Sequence, residues 1–305
     1  MQLQRLMQRR RQKGETHMRN NKLARHNGPW AEVLSRFSRN KLAMLGAVIL
    51  VVLILSAVFA NYIAPYGFDD QDISRALQGP SAEHLFGTDK FGRDQFSRVI
   101  YGGRISLRVG IISVGVALIF GGALGIIAGY VGGKVDSVIM RIMDIFMAVP
   151  GMLLAVAIAA SLGAGLGNMM IAIGIGNVPG YARITRASVM SAKGNEYVEA
   201  ARATGASNLR IILRHILPNA IAPIIVQATL GVASSITACA TLSFLGLGAA
   251  PPTPEWGGML STARDYLRTH AYMAIFPGIF IMITVFSLNV MGDGLRDAID
   301  PRLKD

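Results

Sequence analysis

Long runs of apolar residues, separated by shorter charged segments, occupy most of the chain. Six windows of about 20 predominantly apolar residues can be distinguished, a length that crosses the hydrocarbon core of a bilayer as an α-helix. They cover residues 42–60, 105–130, 139–162, 168–189, 220–247 and 274–291. Pro150 interrupts the third window, and Pro179 lies within the fourth. The pattern predicts an all-α integral membrane protein with six transmembrane helices.

The composition also favours several membrane spans over a single anchor. Charged residues make up 16% of the 305 residues, whereas a soluble domain usually carries about 25%. The polar lead before the first apolar run is too long for a secretory signal peptide, so that run is predicted to be an uncleaved span. The predicted organisation is a basic N-terminal segment (1–41), a first transmembrane helix (42–60), an external loop (61–104), a core with five transmembrane helices (105–292) and a C-terminal tail (293–305).

The distribution of positive charge predicts the orientation of the spans. Residues 1–41 contain 11 of the 30 Lys and Arg residues and only two acids, immediately before the first span. With the N-terminus inside the cell, the cytoplasmic segments hold 22 Lys and Arg residues and the external loops hold 7. Basic segments stay on the cytoplasmic side of a membrane, so both termini are predicted to be cytoplasmic. The net charge of +12 then reflects contact with the lipid bilayer, and no nucleic-acid partner is expected.

A stripe of small residues runs along the second predicted span. Gly121, Gly125 and Gly129 recur every fourth residue, which places them on one face of a helix. Such a face lets the backbone of another helix approach closely. We expect these glycines to support ordinary helix packing within the chain.

Few polar side chains lie inside the predicted spans. Arg141 and Asp144 are three residues apart and therefore share a helix face. A local ion pair is the favoured interpretation, and a place on a translocation path is the alternative. Ser234, Ser235 and Thr237 in the fifth span either bond to carbonyls of their own helix or face such a path. These five residues are the candidates for a translocation path.

The loop at residues 61–104 contains two glycine–acid clusters, at 87–89 and 92–94. Clusters of this kind usually form turns, and we favour that interpretation over contact with a solute. A second loop contains Trp256 after a run of prolines, and tryptophan is typical of the membrane–water interface.

The sequence shows no catalytic or metal-binding set. Cys239 is the only cysteine, and the five histidines lack the spacing of metal ligands. No G-x-x-x-x-G-K-[ST] phosphate loop is present. We therefore expect no enzyme activity, no metal and no cofactor bound by this chain.

Residues 195–218, between the fourth and fifth spans, predict a helix–turn–helix that we call the elbow. Asn195 is suited to cap the first helix, whose first turn is acidic. Gly205 suits the left-handed position that ends a helix, and Ser207 can cap a second, amphipathic helix. Pro218 predicts a break before the fifth span. A stiff elbow that transmits force and an amphipathic hairpin on the bilayer surface both fit this spacing.

The elbow resembles the "EAA" loop of permeases from ATP-binding-cassette (ABC) importers. That motif reads EAA, three residues, G, nine residues, I, any residue, LP. The isoleucine falls one place late here, at Ile216, with His215 at the expected position. The residues that match are Glu199, Ala200, Ala201, Gly205, Leu217 and Pro218.

Three further stretches resemble the dipeptide/oligopeptide/nickel branch of those permeases. They are HLFGTDKFGRDQFSRVIYGGRISLRVG (84–110), LSFLGLGAAPPTPEWG (242–257) and GDGLRDAIDPRLKD (292–305). The resemblance implies a second, homologous permease as a partner, two ATP-binding subunits that carry ATP and Mg, and an extracytoplasmic solute-binding protein. It also implies that the region from Glu199 to Gly205 contacts an ATPase.

The sequence and the resemblance together favour a permease subunit in a bacterial or archaeal plasma membrane. The expected solute is a di- or oligopeptide, with a glutathione-like compound or a nickel chelate as the other classes that this branch handles. The alternative is an ATP-independent secondary transporter or channel, for which buried ionisable groups or inverted repeats would be expected.

Overall fold

The computed structural model describes residues 29–299, and these residues fold almost entirely into helices. Apart from one antiparallel bridge between Thr88 and Asp94, the described residues contain no β-structure. The α-helices are α1 (Pro29–Arg39), α2 (Lys41–Val58), α3 (Ala60–Ile63), α4 (Gln95–Val131), α5 (Gly133–Met147), α6 (Gly151–Leu162), α7 (Leu166–Lys193), α8 (Glu196–Ala203), α9 (Asn208–Ile211), α10 (Leu217–Phe244), α11 (Trp256–Ala263) and α12 (Tyr272–Ile299). Short 3₁₀ turns occupy Ile73–Arg75 and Arg264–Tyr266, and a π-helical turn occupies Ile212–Ile216.

Four helices are long and apolar enough to cross a membrane: Lys41–Val58, Gln95–Val131, Asn208–Phe244 and Tyr272–Ile299. A fifth crossing is possible if α5 and α6, which meet at an angle of 85°, form one broken span. The predicted interruption at Pro150 is therefore present as a sharp bend. The fourth predicted span corresponds to α7, which is helical over 28 residues but is less apolar than these four helices. The structure thus supports four or five spans where the sequence predicted six.

Two of the long helices extend beyond the boundaries that hydropathy predicts for them. Helix α4 begins at Gln95, within the segment that was predicted to be a loop, because the Asp94 side chain accepts a hydrogen bond from the Ser97 amide at 2.7 Å and starts the helix there. At the other end of the chain, α12 continues to Ile299, into the predicted tail. Residues 1–28 of the basic segment and residues 300–305 of the tail lie outside the described part.

Helices α4 and α7 pack side by side, and α10 packs against both. One buried apolar cluster joins α4, α6, α7 and α10 through Val109, Ala159, Ile173 and Leu242. A second cluster joins α2, α4, α10 and α12. Many large apolar side chains remain exposed, such as Val52 on α2 at 59% and Phe286 on α12 at 50%. Exposed apolar surface of this extent suits helices whose outer faces contact lipid.

Candidate functional site

The first elbow helix, α8, ends in a complete Schellman motif. The Ala206 amide donates to the Ala201 carbonyl at 3.1 Å, and the Gly205 amide donates to the Arg202 carbonyl at 3.0 Å. Gly205 has a φ of +80°, a left-handed conformation that glycine adopts without steric cost. The spacing between Ala201 and Gly205 therefore follows from the geometry of the helix end. The predicted role of Gly205 in ending the helix is confirmed.

One side of the elbow is buried and the other is exposed. Val198, Ala201, Ile211 and Ile216 belong to a buried cluster with residues at the end of α7 and the start of α10, and Ala206 packs against it. In contrast, Glu199, Ala200, Arg202, Ala203, Thr204 and Gly205 are all exposed. The apolar contacts fix the elbow to the ends of two long helices, while a short edge containing Glu199 and Gly205 faces outward.

Two predicted caps of the elbow differ in detail from the structure. Asn195 occupies the N-cap position of α8, but its side chain makes no capping bond. Its amide nitrogen instead donates backward to the carbonyls of Ser191 at 3.1 Å and Ala192 at 3.0 Å, at the end of α7. Ser207 precedes α9 without a side-chain cap. Because α7 and α8 are separated by so few residues, the free carbonyls at the end of α7 accept hydrogen bonds from the Asn195 side-chain NH2 group. These bonds hold the side chain toward α7, and its oxygen does not cap α8.

The predicted break at Pro218 is wrong. The chain passes from α9 through the π-helical turn Ile212–Ile216 into α10, so that Asn208–Phe244 is one helical stretch of 37 residues. In the turn, the Leu217 amide donates to the Ile212 carbonyl, five residues back. This wider turn shifts the hydrogen-bond register just before Pro218, which lies in the first turn of α10, where a missing amide hydrogen is tolerated. Leu217 is half-buried and Pro218 is exposed.

Polar contacts connect the elbow to the end of α4. The Tyr130 hydroxyl donates to the Asn208 side-chain oxygen at 2.7 Å. The Lys193 ammonium donates to the Tyr130 carbonyl at 2.6 Å and lies 5.5 Å from the centre of the Tyr130 ring. The lysine therefore satisfies a carbonyl at the C-terminus of α4, where a positive charge is favourable. Three helices, α4, α7 and α9, meet at this tyrosine.

The glycine stripe of α4 packs directly against α7, as predicted. A Cβ atom on Gly121 would lie 2.5 Å from the Val178 carbonyl oxygen, and one on Gly125 would lie 2.5 Å from the Ala182 carbonyl oxygen. For Gly129 the corresponding distance, to the Arg186 carbonyl oxygen, is 2.9 Å. The absence of side chains at these positions brings the two backbones together within one chain.

Of the two charged candidates in the bent pair, Asp144 forms an ion pair with α7 and not with Arg141. Asp144 contacts Arg183 at 2.8 Å, and both side chains are about half exposed. No ion pair joins Arg141 to Asp144 among the described residues, so the predicted local partner is wrong. Asp136 of α5 forms a bidentate ion pair with Arg186, in which the guanidinium donates to both carboxylate oxygens. Packing of α5 against α7 supplies partners that helical spacing alone could not indicate.

The hydroxyl groups of α10 divide between the two interpretations. Ser234 donates to the Gly231 carbonyl at 3.0 Å, and Thr237 donates to the Ala233 carbonyl at 3.1 Å, so both bond to their own helix. Ser234 also lines a cavity of about 220 Å³ that lies between α6, α7 and α10. Ser235 is fully buried, and its hydroxyl has no partner among the described residues. Ser234 therefore combines bonding to its own helix with access to this cavity.

Residues 64–94 form a compact segment at the start of α4, which we call the loop cap. The Asp89 carboxylate accepts hydrogen bonds from the amides of Phe91 at 2.8 Å and Arg93 at 3.0 Å, and from the Arg93 guanidinium at 2.7 Å. Asp89 and Arg93 are 2% and 3% exposed. Gly87 and Gly92 both have positive φ angles. These bonds are those of turns, as predicted, but the burial of the charges was not predicted.

A second buried pair joins the loop cap to α4. His84 Nδ1 lies 2.9 Å from one Asp94 carboxylate oxygen, while the other oxygen caps the helix through Ser97. At the surface of the cap, the Ser74 hydroxyl donates to Asp72 and lowers the pKa of that carboxyl below its usual value. The G-R-D order at 92–94, followed by a long apolar helix, is the signal that could have identified Asp94 as a cap.

Glu255 and Trp256 were also missed as structural residues. Glu255 is 1% exposed and accepts hydrogen bonds at 2.8 Å from the amides of Gly257 and Gly258, which caps α11. The indole of Trp256 is buried and donates to the Val99 carbonyl at 2.8 Å. Trp256 therefore packs inside the protein and does not occupy the interfacial position that the sequence suggested. The available sequence signal was an acid two residues before a pair of glycines, at the N-cap position of a helix.

Residues 29–299 contain no group of three or more His, Cys, Asp or Glu side chains placed to hold a metal ion. Cys239 is buried, and its thiol lies 3.5 Å from the Glu255 carboxylate.

Residues 121–305 match the protein family described as "Binding-protein-dependent transport system inner membrane component". Residues 28–80 match the "N-terminal TM domain of oligopeptide transport permease C". The elbow and the glycine stripe both fall within the first match.

Curated relatives align over nearly the whole chain. The chain is 51% identical to the dipeptide transport system permease protein DppC of Alkalihalophilus pseudofirmus, over 90% of this chain and 91% of that protein. It is 47% identical to the di/tripeptide transport system permease protein DppC of Pseudomonas aeruginosa, over 91% and 93%. It is 44% identical to the glutathione transport system permease protein GsiD of Pectobacterium atrosepticum, over 90% and 92%.

The fold is similar to that of a solved transporter. An inward-facing structure of the MetNI methionine ABC transporter superposes with a TM-score of 0.55 and 20% sequence identity. The match covers 66% of this chain and 96% of the other. At this identity the similarity establishes a shared fold.

Proposed function

The chain belongs to the binding-protein-dependent transport system inner membrane component family, and from this we propose that it imports a di- or oligopeptide by alternating access. It is a permease subunit of an ABC importer in the inner membrane. The members of this family are transport permeases, and we assign no catalytic activity to this chain. An ATP-independent secondary transporter or channel is the less favoured alternative, because the family is defined by dependence on a binding protein.

The proposed substrate class rests on the relatives. Those described above are named for dipeptides, di- and tripeptides, and glutathione, which are all small peptides. None of these three relatives is named for nickel or a nickel chelate. The proposed partners are a second, homologous permease, two ATP-binding subunits that carry ATP and Mg, and an extracytoplasmic solute-binding protein.

We assign six crossings to the chain. Helices α2, α4, α10 and α12 are long and apolar, and the bent pair α5–α6 adds a fifth. Helix α7 is proposed as the sixth, because its 28 residues correspond to about 42 Å of helix and it packs along α4. A helix surrounded by protein needs less apolar surface than one facing lipid. The excess of Lys and Arg in the segments on one side supports the proposal that both termini are cytoplasmic.

We propose that the elbow is the surface that contacts an ATPase subunit. The observation that carries this role is the exposed edge from Glu199 to Gly205, which is held in one conformation by the Schellman motif and by the buried cluster beneath it. Because α9 continues without interruption into α10, movement of the elbow would reorient a membrane-crossing helix. A ligand shifts such an equilibrium only if its contacts differ between two states, so the elbow contact must change during ATP hydrolysis.

The test compares two charge reversals in the first turn of α8. Glu199→Arg alters the exposed edge, whereas Glu196→Arg changes a second exposed acid at the same helix end and has a similar effect on the helix dipole. Uptake of radiolabelled dialanine and ATP hydrolysis are measured with all subunits expressed together. We expect Glu199→Arg to lower ATP-driven uptake at least tenfold with normal membrane insertion, and Glu196→Arg to retain most of it.

Full uptake and normal stimulation of ATP hydrolysis by Glu199→Arg would contradict the coupling role. Uptake of glutathione without uptake of dialanine by the unaltered protein would instead correct the substrate class. The two failures are distinguishable, because the first concerns one variant and the second concerns the natural chain.

A further inference from the structure

A large apolar groove lies on the surface formed by α2, α4, α10 and α12. Its volume is about 820 Å³, and its walls include Ile54, Leu107, Ile111, Ile224 and Leu288. All four helices are long and apolar enough to cross a membrane, so the groove lies within the bilayer. It is separate from the elbow and from the cavity next to Ser234.

Two arginines of α4 line one end of this otherwise apolar groove. Arg104 donates to the carbonyls of Ala57 and Val58 and to the Asn61 side-chain oxygen at 2.9 Å, so most of its guanidinium is already used at the end of α2. Arg108, one helical turn further along, is exposed. Within residues 29–299 its guanidinium has neither an ion-pair partner nor a hydrogen-bond partner. A charge in this position requires a counter-charge or water.

The depth of these arginines agrees with the position of lipid headgroups. Arg104 contacts the last residues of α2, where that apolar helix leaves the membrane, and Arg108 lies close to the start of the apolar part of α4. A long arginine side chain can extend from there to the interface. Along α4 the groove runs from Arg104 to Leu118, about 21 Å of helix. One leaflet contributes about 15 Å of hydrocarbon, so an acyl chain that starts at headgroup level fits lengthwise.

We propose that this groove binds one anionic phospholipid, with an acyl chain between α2, α4, α10 and α12 and its phosphate on the guanidinium of Arg108. The apolar walls suit a hydrocarbon chain, and guanidinium pairs well with phosphate oxygens. A helix of another subunit would have to bring a carboxylate to the same depth, whereas every phospholipid carries a phosphate there. In phosphatidylcholine a headgroup ammonium balances the phosphate, whereas the phosphate of an anionic lipid has no such internal counter-charge, so Arg108 favours an anionic headgroup.

The first test measures headgroup selectivity with spin-labelled lipids. The full chain, purified with the subunits that accompany it, is reconstituted in vesicles, and immobilised spin-labelled phosphatidylglycerol is compared with phosphatidylcholine. We expect Arg108→Gln to weaken the preference for phosphatidylglycerol about fivefold at this site, and Arg108→Lys to retain most of it. Arg268→Gln, which removes an exposed charge outside the groove, is the matched control. Equal preference in the natural chain and Arg108→Gln would overturn the proposal.

The second test fills the groove without altering charge. Gly115 lines the groove, and a Cβ atom built on it meets no other atom within 4 Å. Gly115→Leu should therefore reduce immobilisation of both lipids at normal stability. Gly122→Leu is the control and should leave binding unchanged, because Gly122 lies on the same helix, a Cβ atom there also meets no other atom within 4 Å, and it does not line the groove. Unchanged lipid binding in Gly115→Leu would show that the groove is not the site.

A third measurement identifies what covers the groove. Ile111 lines it and is 61% exposed, so a photoreactive amino acid placed there reports on its neighbour in native membranes. A crosslink to phospholipid, identified by mass spectrometry, supports the proposal. A crosslink to a second permease chain would overturn it and would identify the groove as a protein interface.

Discussion

The elbow and the loop cap lie at opposite ends of α4, and different interactions hold them. The loop cap contains buried charged groups, in which Asp89, Arg93, His84 and Asp94 satisfy one another and nearby amides. The elbow is held by apolar side chains and a backbone motif, and its charged residues are exposed. Directional bonds between buried charges permit one arrangement, because any displacement leaves a buried charge unpaired. Apolar contacts tolerate small displacements, which suits the proposed movement of the elbow by an ATPase subunit.

The largest expected effect comes from breaking the loop cap. Asp89→Ala removes the carboxylate that pairs with the buried guanidinium of Arg93, and it should lower the free energy of unfolding by about 3–5 kcal/mol. The measurement is chemical unfolding in mixed micelles followed by tryptophan fluorescence. Asp69→Ala, an exposed acid in the same segment, should change stability by no more than about 0.5 kcal/mol. Similar stability of the two variants would contradict the role given to buried charge.

An intermediate effect is expected where α4 joins the two regions. Gly125→Ala places a Cβ atom 2.5 Å from the Ala182 carbonyl oxygen, so α4 and α7 must separate, at a cost of about 1–3 kcal/mol. Gly122→Ala meets no atom within 4 Å and should be neutral or stabilising, because alanine favours helix over glycine. Unfolding in the same micelles distinguishes them. Equal stability of both variants would argue against close packing of the glycine stripe.

The smallest expected effect is local to the elbow. Gly205→Ala forces a residue with a Cβ atom into a left-handed conformation, at a cost of roughly 1–2 kcal/mol. Hydrogen exchange should accelerate at the amides that close the Schellman motif and remain unchanged in the loop cap. Gly194→Ala is the control, because Gly194 has a φ of −78°. Faster exchange at both ends of α4 would mean that the two regions do not respond independently.

Patterns within a single helix or turn were predictable from the sequence. The apolar runs identified the long helices, the fourth-residue spacing identified the packing face of α4, and Gly205 was recognised as a helix terminator. Each of these depends on residues that are close in sequence. The bend at Pro150 was predicted for the same reason.

Features that depend on neighbouring elements were not predictable from the same patterns. Asp144 pairs with Arg183 of another helix, and Asn195 bonds to the end of α7. The π-helical turn before Pro218 preserves a helix that proline alone was expected to end. Helix α7 was identified as a helix, but the crossing proposed for it depends on packing against the helices that surround it. Hydropathy reports contact with lipid and does not report contact between helices.

The uninterrupted stretch Asn208–Phe244 has a geometric consequence. Its 37 residues correspond to about 55 Å of helix, with the elbow at one end and a second glycine-terminated turn, closed by the Gly246 and Leu247 amides, at the other. A lever of that length pivoting at the elbow converts a tilt of about 10° into a displacement of about 10 Å at its far tip. In the proposed mechanism, small rotations of the elbow would then suffice to widen or narrow an opening at the far end of this helix.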